Sequence, residues 1–212
     1  MNTLLFIMMF SSTLFLVNED AREYMEKAGK EFSKSNYSKT VDYLDEVIEI
    51  ESDAYEAYYL RAVSHSYLGN HEKSIADYTV IEDVMYLKRH IIFNNRGLEY
   101  AKLNQHQNAI KDFSRAIEIF PNYADAYNNR GHQLEEIGNF QGALLDYHKS
   151  IDLANSSDLA IFCYNAARLE SVIGSEKEAI SLLNQALKIN PDFDLALNLK
   201  SKFDKKFANL ID

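Results

Sequence analysis

Apolar residues in the middle of the chain recur at the spacing of short amphipathic helices. Two such series lie within residues 124–157, one on each side of Gly138-Asn139. The members of each series share one helical face: Tyr127, Gly131 and Leu134 in the first, and Phe140, Ala143, Leu144, Tyr147 and Ile151 in the second. Gly and Asn tolerate the left-handed backbone with which many helices end. The pattern therefore predicts a helical hairpin, in which the small residues Gly131 and Ala143 let the two helices approach closely.

The hairpin pattern occurs five times, at a spacing of about 34 residues. The five copies are 21–54, 55–88, 90–123, 124–157 and 160–193. The first copy is the weakest, and it has Ser35-Asn36 in place of a turn glycine. A helix-turn-helix unit of this length, with recurring small and aromatic positions, resembles the tetratricopeptide repeat (TPR) family. The resemblance implies an all-α fold, a right-handed α-solenoid of five TPR repeats that forms one continuous domain over residues 21–212.

Residues 194–210 follow the last repeat and are expected to form a C-terminal capping helix. Apolar residues lie on or near one face of this helix: Leu195, Leu199, Phe203 and Phe207. A terminal repeat without a cap would expose its apolar face to water. We therefore expect this helix to cover the fifth repeat.

The first twenty residues, 1–20, differ from the rest of the chain. Residues Leu4 to Val17 carry no charge and are almost entirely apolar. This length fits the apolar core of a secretory signal better than a membrane span of about 20 residues. However, no Lys or Arg precedes the segment, and no small-residue cleavage site follows it before Ala21. Three interpretations remain open: an export signal or uncleaved anchor, an apolar helix docked on the first repeat, or a partner-binding segment. We favour an exported or membrane-associated protein, with membrane contact only through residues 4–17.

Composition narrows the classes of partner and of site. The chain has 22 Lys and Arg residues against 32 Asp and Glu residues, a net charge of −10. Binding to a phosphate backbone needs clustered basic residues, so we expect no nucleic-acid partner. The single cysteine, Cys163, excludes an internal disulfide framework. It occupies a helix-face position that is aromatic in other repeats, which predicts a buried residue.

An Arg and an Asp recur together in the three central repeats. The pairs are Arg61 with Asp77, Arg96 with Asp112, and Arg130 with Asp146, each sixteen residues apart. The first and fifth repeats lack both partners. Such joint presence and absence predicts structural ion pairs, either within a hairpin or between adjacent hairpins.

No combination of residues indicates catalysis. The six histidines are scattered, without the short spacing of metal ligands. His71 and His106 fit packing or turn positions, and His65 replaces an inward residue such as Leu134. Neighbouring carboxylates such as Glu135-Glu136 are interpreted as solvated. We therefore predict a protein that is not an enzyme and that needs no metal or cofactor.

The strongest indication of binding is a series of asparagines in the first helices of successive repeats. In the TPR family these helices line the concave surface, and an Asn amide can both donate and accept a hydrogen bond with a peptide backbone. The predicted peptide-binding residues are Asn95, Asn129 and Asn165 at one repeat position, Asn94 and Asn128 before two of them, and Tyr59, Leu98, His132, Tyr164 and Arg168 nearby. The alternative is that these asparagines bond within their own helix pair.

Some TPR proteins bind the C-terminal carboxylate of a chaperone with Lys, Asn and Arg residues at fixed repeat positions. Here the corresponding positions in repeats two to four hold Tyr59, Val63, Asp125 and Asn129. Because the basic residues are missing, we expect no such carboxylate clamp. The predicted function is a non-enzymatic interaction module or scaffold that holds a partner peptide or helix in the concave groove. The alternative is a regulatory or assembly subunit that self-associates or serves an enzyme on another chain.

Overall fold

The computed structural model describes residues 18–85, 88–155 and 158–208, and within these ranges it contains helices and no strand. In chain order the helices are α1 (Glu19–Ser33), α2 (Tyr37–Ile50), α3 (Tyr55–Tyr67), α4 (His71–Ile81), α5 (Arg89–Lys102), α6 (His106–Ile119), α7 (Ala124–Glu136), α8 (Phe140–Leu153), α9 (Leu159–Ile173), α10 (Glu176–Ile189) and α11 (Asp194–Ala208). The predicted export or anchor segment lies outside the described residues up to position 17. Positions 209–210 of the predicted capping helix also lie outside them.

The helices follow the predicted order, since each repeat contributes two consecutive helices and α11 follows the last repeat. The chain forms two compact units, Met1–Asp112 and Phe113–Asp212, and the boundary between them falls within α6. In the part of the chain that the structure describes, no helix is long and apolar enough to cross a membrane.

The first helix begins at Glu19, two residues before the predicted start of repeat one, because Asn18 accepts a hydrogen bond from the backbone N–H of Asp20 and caps the helix.

A left-handed residue ends the first helix of every repeat. Within the described ranges, the residues with positive φ are Ser35 (61°), Gly69 (75°), Asn104 (56°), Gly138 (79°) and Gly174 (89°). The residue that follows each of them donates its backbone N–H to a carbonyl five residues earlier, as Asn139 does to Leu134 at 2.8 Å. This geometry satisfies carbonyl groups that a helix C-terminus otherwise leaves unpaired. The turn is therefore the same in all five hairpins, even where a side chain replaces glycine.

Close helix packing in repeat four depends on Gly131. A Cβ atom at this position would lie 3.0 Å from the Tyr147 ring and 3.2 Å from the Ala143 carbonyl oxygen. The prediction that Gly131 allows a close approach of the two helices is confirmed.

The core of the second unit continues from repeat four into α11. Cys163 is fully buried in this core, as predicted. Phe203 is buried in the same core, and Leu199 packs against it, so α11 covers the end of repeat five. Leu195 instead remains half exposed (51%).

The three predicted Arg–Asp pairs are confirmed. Arg96 donates from Nε and Nη2 to both carboxylate oxygens of Asp112, at 2.7 and 3.0 Å. Arg61 binds Asp77 in the same way, and Arg130 binds Asp146. In each case the remaining nitrogen, Nη1, bonds to the second helix of the preceding repeat, through Asp45, Thr79 and Ser114 respectively. Each guanidinium therefore closes its own hairpin and also joins it to the preceding one.

Candidate peptide-binding face

The first helices of repeats four and five lie side by side in the second unit. The Asn165 amide on α9 donates to Asn128 Oδ1 on α7 at 2.8 Å. Arg168 donates two hydrogen bonds, of 2.6 and 2.7 Å, to the Glu135 carboxylate on α7. These contacts fix the register between α7 and α9.

One face of these two helices remains accessible to solvent. Its residues lie at helical spacing on the side turned away from the close contact between Gly131 and α8. They are Asp125, Asn129, His132 and Glu136 on α7, and Ile161, Asn165, Arg168 and Val172 on α9. We call this set the unit-2 face. It combines carboxylates, amides and apolar groups such as Val172, which is 63% exposed.

The corresponding surface of the first unit has a different character. We call the residues at the equivalent positions the unit-1 face: Glu56, Leu60, Val63 and Tyr67 on α3, and Ile91, Asn95, Leu98 and Lys102 on α5. Tyr67 is 64% exposed, yet its ring stacks on Tyr37 with a centroid distance of 4.4 Å. Five of its eight residues are apolar or aromatic, with Glu56 and Lys102 as its charged residues, whereas six of the eight residues of the unit-2 face are polar or charged.

Several predicted peptide-binding residues are occupied by contacts within the protein. Asn94 and Tyr59 are buried, with 5% and 7% exposure. Burial also raises the pKa of Tyr59. Tyr59 accepts a long hydrogen bond of 3.4 Å from the Asn95 amide, so these two residues come together in the first unit.

In the second unit, Tyr164 packs against Phe193 at a ring-centroid distance of 5.3 Å. Asn129 is partly exposed, and His132 and Leu98 are exposed on their respective faces. Asn165 and Arg168 contribute both to the joint between the repeats and to the unit-2 face. The structure thus divides the predicted residues between packing and accessible positions.

The interpretation of Glu135 as a solvated surface residue is wrong. Its carboxylate accepts hydrogen bonds from Arg168 and from the Tyr147 hydroxyl, the latter at 2.9 Å. Burial and the negative charge of Glu135 raise the pKa of Tyr147. A signal was present in the sequence, because Arg168 lies about one repeat length after Glu135 and therefore in the neighbouring first helix.

A second bridging carboxylate, Glu99, is buried and joins repeats two and three, a role that its sequence position does not predict. It accepts hydrogen bonds from the Ser66 hydroxyl at 2.7 Å and from Lys102 at 3.0 Å. The Nδ1 atom of His71 lies 2.7 Å from its other oxygen. His71 therefore has a specific partner as well as its predicted place at the turn.

Among the described residues, no group of three or more His, Cys, Asp or Glu side chains could hold a metal ion. The carboxylates of both joints are bound by cations and hydroxyl groups from neighbouring helices. Their arrangement stabilises the contact between repeats.

Comparison with known proteins identifies the repeat. Sequence models of the tetratricopeptide repeat match residues 55–79, 90–123, 113–144 and 160–193, which together span more than half of the chain. No curated protein sequence matches it.

Solved structures with similar folds share little sequence with this chain. A structure of MamA from Desulfovibrio magneticus RS-1 is 14% identical and covers 84% of this chain and 99% of its own, with a TM-score of 0.76. YrrB, described as a TPR protein with an unusual peptide-binding site, is 22% identical over 84% of this chain and 90% of its own, with a TM-score of 0.67. The first TPR of Spaghetti (RPAP3), bound to the HSP90 peptide SRMEEVD, is 17% identical over 57% of this chain and 94% of its own, with a TM-score of 0.53. The predicted all-α TPR solenoid is thereby confirmed, and the chain belongs to the tetratricopeptide-repeat family.

Proposed function

We propose that this protein is a non-enzymatic interaction module that holds a partner peptide on the unit-2 face. The observation that carries the proposal is the pairing of α7 and α9, which fixes two helices in register and leaves amide, charged and apolar groups at the surface. A rigid face of this kind can bind an extended chain without a large cost in conformational entropy of the protein.

Asn129 and Asn165 would contact the peptide backbone. An asparagine side chain offers two N–H donors and one carbonyl acceptor. Asn165 uses one donor to bond Asn128, so its carbonyl oxygen and second N–H can serve a peptide. Ile161 and Val172 lie on the same helix and are 39% and 63% exposed, so they provide apolar contacts for side chains of the partner.

Two of the similar structures support a peptide as the partner. YrrB is described as having a peptide-binding site, and the Spaghetti repeat domain is described as bound to a peptide. The unit-2 face would not act as a carboxylate clamp, because its arginine, Arg168, is already neutralised by two hydrogen bonds to Glu135. We therefore propose recognition of backbone and apolar groups in place of a terminal carboxylate.

The test is an affinity capture from the native source with the full chain as bait, read out by quantitative mass spectrometry. Asn129→Ala is the test variant, and Asn184→Ala is the matched control, because Asn184 is an exposed asparagine on the second helix α10. We expect a stoichiometric partner that binds the wild type and the control and is lost from Asn129→Ala. Equal recovery by all three folded proteins would contradict binding at the unit-2 face.

A further inference from the structure

Repeat two contains a histidine whose ring lies inside a helical hairpin. His65 on α3 is 6% exposed, and its Nδ1 atom has no hydrogen-bond partner within the protein. Ser74, on the paired helix α4, is fully buried, and its hydroxyl oxygen also lacks a partner. Repeat four has Leu134 at the position of His65. Since an unpaired buried polar atom is destabilising, this hairpin contains a costly group where another repeat has an apolar one.

Protonation would increase this cost. A neutral imidazole can leave Nδ1 without a proton, but in the imidazolium both ring nitrogens are donors. The buried Nδ1 of His65 would then carry an N–H group with no acceptor, in addition to a buried positive charge.

The nearest carboxylates are already engaged by another cation. Asp77 on α4 binds Arg61 through both oxygens, at 2.6 and 2.9 Å. Asp45 on α2 accepts a hydrogen bond of 2.7 Å from the same guanidinium. Neither carboxylate can become the counter-ion of His65 without weakening its contact with Arg61.

The other charged groups nearby do not compensate either. Lys73 on α4 and Arg61 on α3 both add positive charge near the ring and disfavour its protonation. Burial is the main cause that lowers the pKa of His65 below its ordinary value, and the attraction of Asp77 opposes it only in part.

We propose that repeat two is an acid-sensitive element, in which protonation of the buried His65 ring loosens the α3–α4 hairpin as the pH falls. The unfolded hairpin binds the proton more tightly than the folded one, so the stabilising effect of a neutral His65 is present above the ordinary pKa of about 6.5 and is lost below it. Between pH 7.5 and 5.5 this linkage can lower the folding equilibrium constant by about ten-fold at most.

The test compares the hydrogen-exchange protection factors of the full chain at pH 7.5 and 5.5. Each protection factor is the intrinsic exchange rate divided by the observed rate at the same pH, so the intrinsic pH dependence of exchange cancels. We expect protection in residues 55–81 to fall in the wild type by about two-fold to ten-fold more than in His65→Leu. His132→Gln is the control, since His132 is exposed on α7, and it should behave as the wild type.

A second variant keeps the test decisive if leucine prevents folding. His65→Gln retains a polar side chain but cannot gain a proton, so it too should lose the additional pH dependence. A nuclear magnetic resonance titration of the wild type should place the pKa of His65 below about 6.5. Equal pH dependence in the wild type and the folded variants, or titration of His65 at or above its ordinary pKa, would overturn the proposal.

Discussion

The two units join neighbouring repeats through different side-chain contacts. In the first unit the bridging carboxylate is Glu99 of the later repeat, held by Ser66 and His71 of the earlier one. In the second unit it is Glu135 of the earlier repeat, held by Arg168 of the later one. The joint is therefore not part of the repeat pattern, whereas the Arg–Asp pair within a hairpin recurs in both units.

The exposed faces differ in the same way. The unit-1 face presents Tyr67 on α3 and Leu98 on α5, and at the equivalent positions the unit-2 face presents Glu136 on α7 and Arg168 on α9. Residues that close a hairpin are constrained by a geometry that each repeat shares, but residues on the exposed face are not. A partner for one face would consequently differ in chemistry from a partner for the other.

The largest expected difference between the units concerns the Arg–Asp pairs. Arg96→Met leaves Asp112 buried without a cation, and we expect a loss of about 3 to 4 kcal/mol in the free energy of unfolding. Burial already raises the pKa of Asp112 despite its pairing with Arg96. Arg130→Met should cost less, about 2 kcal/mol, because the Arg130 side chain is 24% exposed against 9% for Arg96. Urea unfolding of both variants measures the difference, and equal losses would show that burial does not set the strength of the pair.

A smaller effect is expected at the close helix contact in the second unit. Gly131→Ala places a Cβ atom against Tyr147 and the Ala143 carbonyl, which should cost about 1 to 3 kcal/mol. The higher helix propensity of alanine recovers roughly 1 kcal/mol of this loss. Thermal unfolding should therefore show a lower midpoint than the wild type. An unchanged or higher midpoint would mean that α7 and α8 separate easily.

The hydrogen bonds between the first helices of neighbouring repeats should differ in coupling energy between the two units by about 1 kcal/mol or less. A double-mutant cycle of Asn128→Ala and Asn165→Ala should give a coupling of about 1 kcal/mol. The cycle of Asn95→Ala and Tyr59→Phe should give less than about 0.5 kcal/mol, because the contact is 3.4 Å long against 2.8 Å in the second unit. Similar couplings would show that the two units hold their asparagines equally firmly.

The smallest effect should be a gain in stability at the turns. Ser35→Gly and Asn104→Gly each remove the side chain from a residue with positive φ and so relieve the backbone strain at that residue. We expect each to raise the free energy of unfolding by about 0.5 kcal/mol, less for Asn104 because asparagine tolerates this conformation better than serine. Gly138→Ala is the reciprocal control and should lower stability by about 1 kcal/mol.

The sequence predicted the features that lie within a single repeat. The spacing of sixteen residues between Arg96 and Asp112 follows from the fixed length of the hairpin, so it could be found by comparing repeats. The hairpin of Gly131 and Ala143 was predictable for the same reason. These features are properties of one repeat and recur with it.

Features that depend on a single pair of neighbouring repeats were not found. Glu135 differs from Glu136 only in the side of α7 on which it lies, and the partner that distinguishes them belongs to another repeat. Likewise Asn94 precedes Asn95 by one residue, about a quarter turn of helix, which directs it into the core. Alignment of repeats identifies equivalent positions but does not show which neighbour is present at each joint.

The hydrogen bond from Nη1 of each recurring arginine to the preceding repeat couples the unfolding of the two repeats that it joins. Arg61 and Arg96 bind the preceding repeat as well as their own, so opening of one hairpin in the first unit removes a contact from the next. In an array of repeats, stability is a sum of terms for each repeat and terms for each interface, and strong interface terms make the transition cooperative. At the equivalent position repeat five has Ala166, and its interface depends instead on Arg168 and Asn165. The arginine-linked repeats of the first unit are therefore expected to melt together.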